Sequence, residues 1–109
     1  MTVIVWSPRA ITDVESIRDY VGRDSPRYAD LVVLRIVDAV ERLSTFPQSG
    51  RVVPEIDRRE IREVVVRPYR IVYRLRAGAV DIVTVFHAAR LLRGLPGRGP
   101  DGEQVPGPP

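Results

Sequence analysis

Five side chains in this sequence have the types that acid–base chemistry on a phosphodiester would need. They are Glu55, Arg70, Arg74, His87 and Arg90. An imidazole can transfer protons near neutral pH, and a guanidinium stabilises negative charge that develops on a phosphate. His87 could therefore act as the acid or base and Arg70 as the charge stabiliser, with Glu55 as a second base.

The spacing of Arg70 and His87 places them in two strands of one predicted hairpin. Pairing across the turn Ala77-Gly78 opposes positions whose numbers sum to about 155. His87 then lies near Pro68–Tyr69 and beside Arg70. The sequence thus predicts that the imidazole and the guanidinium meet on one surface of the sheet.

A structural role is the alternative for each of these residues. A single histidine at a strand end more often makes a structural hydrogen bond than takes part in catalysis. Arginines on an open sheet face are usually solvated or paired with acids such as Asp81. Glu55 could form a salt bridge or cap a turn, and Glu60 and Glu63 have the pattern of cross-strand pairing charges. Both interpretations stay open at this point.

The composition excludes several classes of site. The chain has 109 residues, which is the size of one domain, and its 17 basic residues are all arginine. It has no cysteine, which rules out disulfides and thiolate metal ligands, and its single histidine cannot build a structural zinc site. We predict no metal and no cofactor.

Neither a membrane span nor a secretory signal is predicted. No apolar run approaches the roughly 18 residues that a bilayer-spanning helix needs. The segment Met1–Ser7 lacks a basic region followed by a long apolar stretch. We therefore expect a cytoplasmic protein without a membrane partner.

Positive charge is concentrated in the second half of the chain. Residues 1–56 carry 7 arginines and 8 acids, whereas residues 57–109 carry 10 arginines and 6 acids. The net charges of the two halves are therefore −1 and +4. This asymmetry favours a nucleic acid or an acidic protein surface as partner, and a solvated basic face is the alternative.

Two helices are predicted from their start signals and their apolar spacing. Ser7-Pro8 and Ser25-Pro26 each combine a serine N-cap with a proline at the first helical position. The first helix should end near Val21, with Gly22 as its terminator, and the second near Phe46. The short connection between them predicts an antiparallel helical hairpin.

Strand patterns occur before the helices and after them. The predicted strands are Thr2–Trp6, Ile61–Val66, Tyr69–Arg76 and Val80–His87, with one short extended piece at Arg51–Val53. Alternation places Arg70 and Arg74 on the polar face of the third strand. In the last strand, strict alternation would place Ile82 and Phe86 on one face and Val85 and His87 on the other.

The order of elements predicts an α+β fold. It comprises an N-terminal strand, an antiparallel two-helix hairpin and a three-stranded antiparallel meander, with the first strand joining the sheet at an edge or in its middle. Residues 1–93 are predicted to form the domain. Residues 94–109 contain 5 Gly and 5 Pro and are predicted to be a disordered tail.

The chain resembles the RelE/ParE superfamily of type II toxin–antitoxin toxins, and within it the ParE-like branch. The resemblance covers about residues 2–93 and rests on the order and spacing of short motifs rather than on any single one. The motifs are Trp6-Ser7-Pro8-Arg9-Ala10, Phe46-Pro47, Gly50-Arg51, Val53-Pro54-Glu55, Ile61-Arg62-Glu63, Tyr69-Arg70-Ile71-Val72-Tyr73-Arg74 and Val85-Phe86-His87 with Arg90.

The resemblance implies a compact toxin with a cognate ParD-like antitoxin as its partner. The C-terminal segment of the antitoxin is expected to wrap the toxin, covering apolar surface and meeting its basic groove. The contacts expected for it on the second helix and on the basic residues are Val33, Ile36, Val40, Arg70, Arg74 and Arg90.

The superfamily implies two activities. RelE-like toxins cleave mRNA in the ribosome, whereas ParE-like toxins poison DNA gyrase and have lost the nuclease residues. Arg70 lies at the position of a family nuclease arginine, and His87 lies near the position of the C-terminal acid or base. This sequence has no lysine, however, and no tyrosine follows His87. We therefore expect gyrase inhibition, with ribosome-dependent mRNA cleavage as the alternative and a chain that only binds its antitoxin as a third possibility.

Overall fold

A computed structural model of the chain describes residues 2–89, so Arg90 and the predicted tail at 94–109 lie outside the described residues. The elements follow one another in the predicted order. They are β1 Val3–Trp6, α1 Pro8–Gly22, α2 Pro26–Glu41, a 3₁₀ turn Arg42–Ser44, β2 Arg51–Val52, β3 Ile61–Val66, β4 Tyr69–Arg76 and β5 Ala79–His87.

The strands form one five-stranded sheet in the order β1-β5-β4-β3-β2. The predicted meander of β3, β4 and β5 is antiparallel, whereas β1 joins at the edge and runs parallel to β5. The extended piece predicted at Arg51–Val53 is the second edge strand, β2, which pairs with β3 over only two residues. The predicted α+β fold is thus confirmed.

Both helices begin where the serine–proline signals predicted. The hydroxyl of Ser7 accepts a hydrogen bond from the backbone N–H of Ala10 at 3.0 Å, and that of Ser25 accepts one from Tyr28 at 3.1 Å. These bonds satisfy amide groups that have no partner inside a helix. The helix starts are therefore fixed by local sequence.

The end of α1 lies within one residue of the predicted Val21, but the predicted glycine cap and the predicted end of α2 are wrong. Helix α1 runs through Gly22, and its C-cap Arg23 keeps a right-handed conformation, so no left-handed glycine ends the helix. Helix α2 ends at Glu41, and the chain tightens into the 3₁₀ turn instead of continuing as far as Phe46. Neither end carries the glycine cap that marks a helix terminus in sequence.

The main core lies between the helices and the face of the sheet that they cover, which we call the inner face. Its buried residues include Ile17 of α1, Ile36 and Val40 of α2, and Ile71 and Tyr73 of β4. A second, smaller cluster lies on the opposite, outer face. It is made of Val53, Val72 and Phe86, with Ile56, Ile61 and Val83 packed against it.

A bulge in β5 changes the two faces of that strand. Tyr73 pairs with Ile82, but Val72 pairs with Thr84, so Val83 is one residue more than β4 can match. As a result Ile82 belongs to the inner cluster and Phe86 to the outer one, and their predicted common face is wrong. Asp13 of α1 accepts hydrogen bonds beyond the bulge from the Thr84 hydroxyl (2.6 Å) and the Val85 amide (3.0 Å).

Candidate functional site

Arg70 on the outer face of β4 is held by two glutamates. Its Nη1 and Nη2 donate to the two carboxylate oxygens of Glu55 at 2.9 and 3.0 Å, and its Nε donates to Glu63 at 2.6 Å. The two-point contact with Glu55 matches the fork of the guanidinium to the carboxylate. All the donors that face these acids are therefore engaged within the chain.

Three neighbouring segments bring this cluster together. Glu63 lies on β3 opposite Arg51 of β2, and the Nε of Arg51 donates to Glu63 at 2.6 Å. Glu55 follows β2 in the loop that carries Val53 and Ile56 onto the outer cluster. We call Arg51, Glu55, Glu63 and Arg70 the outer-face ion cluster.

The outer-face ion cluster is electrically balanced, and its two central members, Glu63 and Arg70, are withdrawn from water. The Glu63 side chain has no exposed surface, and the Arg70 side chain is 6% exposed. The guanidinium carbon of Arg70 also lies 5.3 Å from the centre of the Phe86 ring, which adds a cation–π contact. Two positive and two negative groups leave no excess charge with which the cluster could attract a phosphate.

The hydrogen bonds between Arg70 and its two glutamates shift the pKa values of Glu55 and Arg70. The bonds from Arg70 hold the pKa of the Glu55 carboxyl below its usual value, although partial burial opposes this. In the other direction, the Glu55 and Glu63 carboxylates raise the pKa of Arg70. Glu55 is therefore a poor candidate for a general base at neutral pH, because it holds its proton less readily than a free glutamate does.

His87 lies on the other side of the sheet. It pairs with Tyr69, as the hairpin register predicted, and its ring meets the Tyr69 ring edge-on at 5.6 Å between centroids. Its Nδ1 accepts a hydrogen bond from the backbone N–H of Ala89 at 3.0 Å. Tyr69 belongs to the inner cluster, whereas the partner of Arg70 across the hairpin is Phe86 of the outer cluster.

The prediction that Arg70 and His87 meet on one surface is therefore wrong. The register itself is as predicted, but a residue paired with Tyr69 shares the face of Tyr69, and Arg70 is the next residue along the strand. Successive side chains of a strand point to opposite faces. The structure brings Glu55 and Arg70 together and separates both from His87.

Three of the residues predicted to contact the antitoxin are buried in the isolated chain, and one of them is Arg70 of the outer-face ion cluster. Ile36 and Val40 are completely buried in the inner cluster, so their side chains offer no surface to a partner. Val33 is half-buried and Arg74 is exposed. The outward face of α2 instead exposes Leu31 and Leu34, the latter at 59%.

Sequence reasoning missed that Glu63 contacts both arginines of the outer-face ion cluster. It was interpreted as a cross-strand pairing charge, which is confirmed by its contact with Arg51, but its hydrogen bond with Arg70 was not foreseen. The signal available was the alternation of β3, which places Glu63 on the same face as Arg70 across the hairpin.

Among residues 2–89, no three His, Cys, Asp or Glu side chains cluster closely enough to hold a metal ion.

Helices α1 and α2 lack the length and apolar content that a bilayer span requires, as does any other helix in residues 2–89. The fold is similar to that of a solved structure from P. aeruginosa, described as a chromosomal ParDE toxin–antitoxin system. The two chains superpose with a TM-score of 0.67 at 23% identity, over 80% of this chain and 96% of the other. That likeness concerns the fold.

Sequence comparison gives closer relatives. Toxin RelE2 of Caulobacter vibrioides is 43% identical over 92 residues, which cover 84% of this chain and all of the relative. Putative toxin Y4kP of Sinorhizobium fredii is 39% identical over 87 residues, or 78% of this chain and 86% of the relative. Residues 4–92 match the family described as the ParE toxin of the type II toxin–antitoxin system parDE. With the matching fold, this match shows that the chain belongs to the ParE toxin family of type II toxin–antitoxin systems.

Proposed function

We propose that this protein is a cytoplasmic toxin that inhibits DNA gyrase by binding it, and that a cognate ParD-like antitoxin neutralises it. Membership of the ParE family supports the toxin role. The ParE-like branch that the sequence resembles implies gyrase as the target. Inhibition by binding requires a surface that is complementary to gyrase, and it requires no residues that transfer protons.

One observation carries the choice between binding and cleavage. The guanidinium of Arg70 is engaged by Glu55 and Glu63 on the outer face, and His87 lies on the inner face. A phosphodiester held against Arg70 would be out of reach of the imidazole. General acid–base catalysis needs both groups within about 3 Å of the reacting atoms. The arrangement therefore favours binding over ribosome-dependent mRNA cleavage.

A supercoiling assay tests the proposal. Purified protein is titrated into a reaction of DNA gyrase, ATP and relaxed plasmid, and supercoiled product is measured on a gel. We expect supercoiling to fall with added toxin and to recover when the antitoxin from the neighbouring reading frame is added. Unchanged supercoiling at all toxin concentrations would contradict gyrase inhibition.

A parallel assay covers the alternative. The same preparation is added to a translating extract, and the mRNA is mapped by primer extension. Intact message agrees with the proposal. Cleavage that requires ribosomes would instead identify a RelE-type nuclease, and the absence of effect in both assays, with tight antitoxin binding, would identify a chain that only binds its antitoxin.

A further inference from the structure

The outer face of the sheet is apolar along β1. Ile4 and Trp6 pack against the inner cluster, so alternation along the strand directs Val3 and Val5 to the outer face. These two valines are 61% and 41% exposed, because the loop after β2 that covers the outer cluster does not reach them. A sheet face in contact with water normally carries polar side chains. Val3 and Val5 therefore form an exposed apolar patch where an open sheet face is expected to be polar.

A row of side chains crosses the outer face from this patch. Val5 pairs with Asp81 of β5. Asp81 pairs in turn with Arg74 of β4, and Arg74 pairs with Ile61 of β3. Paired residues of neighbouring strands share a face, and the strands lie about 4.8 Å apart, so the row spans about 14 Å. We call these four residues, with Val3 beside them, the outer row.

Arg74 supplies an uncompensated positive charge at the centre of the outer row. It is exposed, and it makes no ion pair with any other side chain in residues 2–89. The neighbouring Asp81 is already bound by Arg76, which donates to both of its carboxylate oxygens at 2.6 and 2.7 Å. Beyond Arg74, Glu60 is paired with Arg58 at 2.6 Å. The row therefore presents one free guanidinium between two neutral ion pairs.

Arg74 also lines a cavity at the end of the outer row. The cavity has a volume of about 340 Å³, and Ile61 and the Arg58–Glu60 pair form other parts of its wall. A carboxylate that enters it could accept two parallel hydrogen bonds from the Arg74 guanidinium. The apolar side chain of Ile61 suits the methylene groups that carry such a carboxylate. The cavity therefore fits an acidic side chain of a partner.

The outer row suits a protein partner better than a nucleic acid. Nucleic-acid binding draws on several phosphate contacts at once, whereas this surface offers one unpaired arginine. The carboxylates of Asp81 and Glu60 on either side of Arg74 would also repel further phosphates. Apolar surface around an arginine is instead the composition found at the centre of protein–protein interfaces.

We propose that the outer row is the surface with which this toxin contacts DNA gyrase, and that an acidic side chain of gyrase binds Arg74. Helix α2, where the antitoxin is expected, covers the inner face, so the outer row lies on the opposite side of the sheet. Arg74, expected from the resemblance to contact the antitoxin, would instead contact the target. This inference rests on the proposed gyrase inhibition and specifies the surface responsible for it.

Supercoiling inhibition by variants of Arg74 tests the contact. Arg74→Gln removes the charge, and Arg35→Gln removes the same charge from the exposed part of α2. The toxin concentration that halves supercoiling should rise about tenfold or more in R74Q and less than about twofold in R35Q. Arg74→Lys should lie between them, because lysine keeps the charge but not the two-point contact. Equal inhibition by R74Q and wild type would overturn this inference and leave the proposed function intact, whereas a wild type that does not inhibit gyrase would overturn both.

Glutamate at two equally exposed apolar positions forms a second matched pair. Val3 of the outer row is 61% exposed, and Leu34 on the outward face of α2 is 59% exposed. V3E should raise the half-inhibitory concentration about fivefold or more, and L34E should raise it less than about twofold, because only V3E places a charge in the contact. Circular dichroism checks that both variants fold, and the Arg74 variants carry the test if V3E does not. Inhibition weakened as much by L34E as by V3E would contradict a contact on the outer face.

The same variants separate the other possible occupants of the outer row. Loss of affinity for the antitoxin in R74Q without loss of gyrase inhibition would assign the row to the antitoxin. Binding of the wild type to a duplex oligonucleotide that R74Q loses would assign it to nucleic acid. Self-association of the toxin that V3E abolishes would assign it to a second copy of the chain. Each of these results would overturn the inference.

Discussion

The side chains of Arg70 and His87 project from opposite faces of the sheet although their residues are diagonal neighbours across one hairpin. Arg70 lies over Phe86 and between two carboxylates, whereas His87 packs against Tyr69 and caps the amide of Ala89. The sheet therefore separates the two groups that a nuclease would need to combine. It also gives each a structural role, Arg70 in fixing the loop after β2 and His87 in closing the end of β5.

Each glutamate of the outer-face ion cluster should stabilise the fold in proportion to how deeply it is buried. Glu63→Gln breaks contacts of a fully buried carboxylate with two arginines, and we expect it to lower the free energy of unfolding by about 3 kcal/mol or more. Glu55→Gln, in a partly exposed position, should cost about 2 kcal/mol. Urea unfolding followed by circular dichroism measures both.

Asp81→Asn is the matched control for these two glutamates. Asp81 also accepts two hydrogen bonds from an arginine, Arg76, but that pair is exposed to solvent at the hairpin end. Solvent and salt screen such pairs, so this variant should change stability least of the three. A loss in D81N equal to that in E63Q would show that burial does not determine the contribution of these ion pairs.

Ionisation of Glu55 should make the free energy of unfolding depend on pH in the acid range. Its pKa is lowered in the folded state because Arg70 donates to the charged carboxylate. A lowered folded pKa contributes stability above the unfolded glutamate pKa of about 4.3, and that contribution is lost as pH falls through the folded value. Wild type should therefore lose stability more steeply than E55Q below about pH 4.5.

The comparison of wild type and E55Q contains its own control. Above about pH 5 the Glu55 carboxyl of the wild type is ionised in both the folded and the unfolded state, and the difference in unfolding free energy between the two chains should be at its full value. Below its folded pKa the Glu55 carboxyl of the wild type is neutral, like the side-chain amide in E55Q. The difference in unfolding free energy between the two chains should then become smaller. A difference that stays constant from pH 7 to pH 3 would contradict the role of the Glu55–Arg70 pair in acid stability.

Much of the fold follows from local sequence, because local interactions fix its elements. The serine–proline pairs determine both helix starts, and the alternation of Tyr69–Arg76 gives the correct faces of β4. The bulge at Val83 could not be predicted. Every residue from Val80 to Val85 except Asp81 is apolar or β-branched, so the pattern offers no signal for the extra residue.

The two glycines Gly50 and Gly22 should respond in opposite ways to alanine. A Cβ at Gly50 would lie 2.5 Å from the Tyr73 hydroxyl and 2.6 Å from the Glu63 carbonyl, both of them fixed in the buried sheet. A Cβ at Gly22 would meet only the Ala29 side chain, at 3.7 Å. G50A should therefore be strongly destabilised, and G22A should gain about 0.5–1 kcal/mol because alanine favours the helix.

The Gly50 effect acts through one buried tyrosine. The Tyr73 hydroxyl accepts from the Gly50 amide at 2.9 Å and donates to the Pro47 carbonyl at 2.8 Å, which ties the loop before β2 to the sheet. Tyr73→Phe leaves a buried amide without its partner and should cost about 1–3 kcal/mol. Thermal melting of G50A, Y73F and G22A checks the order, and a stable G50A would contradict the close approach.

The candidate site was predictable in its members but less so in its arrangement. Glu55, Arg70 and His87 are visible in the sequence as chemical groups, and the correct register makes Arg70 and His87 diagonal neighbours across the hairpin. Their chemistry depends on the face of the sheet that each one occupies and on which carboxylates contact Arg70. Glu63 reaches it from β3 and Glu55 from a loop whose path depends on the packing of Val53 and Ile56, and a long-range contact of this kind has no local signal.

Substitution of His87 should separate binding from cleavage in cells. His87→Gln keeps an acceptor for the Ala89 amide but cannot exchange a proton near neutral pH, whereas His87→Ala loses both properties. If the histidine is structural, growth inhibition on induction without antitoxin should persist in H87Q at close to the wild-type level and fall in H87A only as far as its melting temperature falls. A nuclease that uses the imidazole would lose activity about 100-fold or more in both variants, since general acid–base catalysis contributes that much. Full loss of toxicity in a stably folded H87Q, together with loss of mRNA cleavage in the translating extract, would therefore restore the catalytic interpretation in spite of the distance between His87 and Arg70.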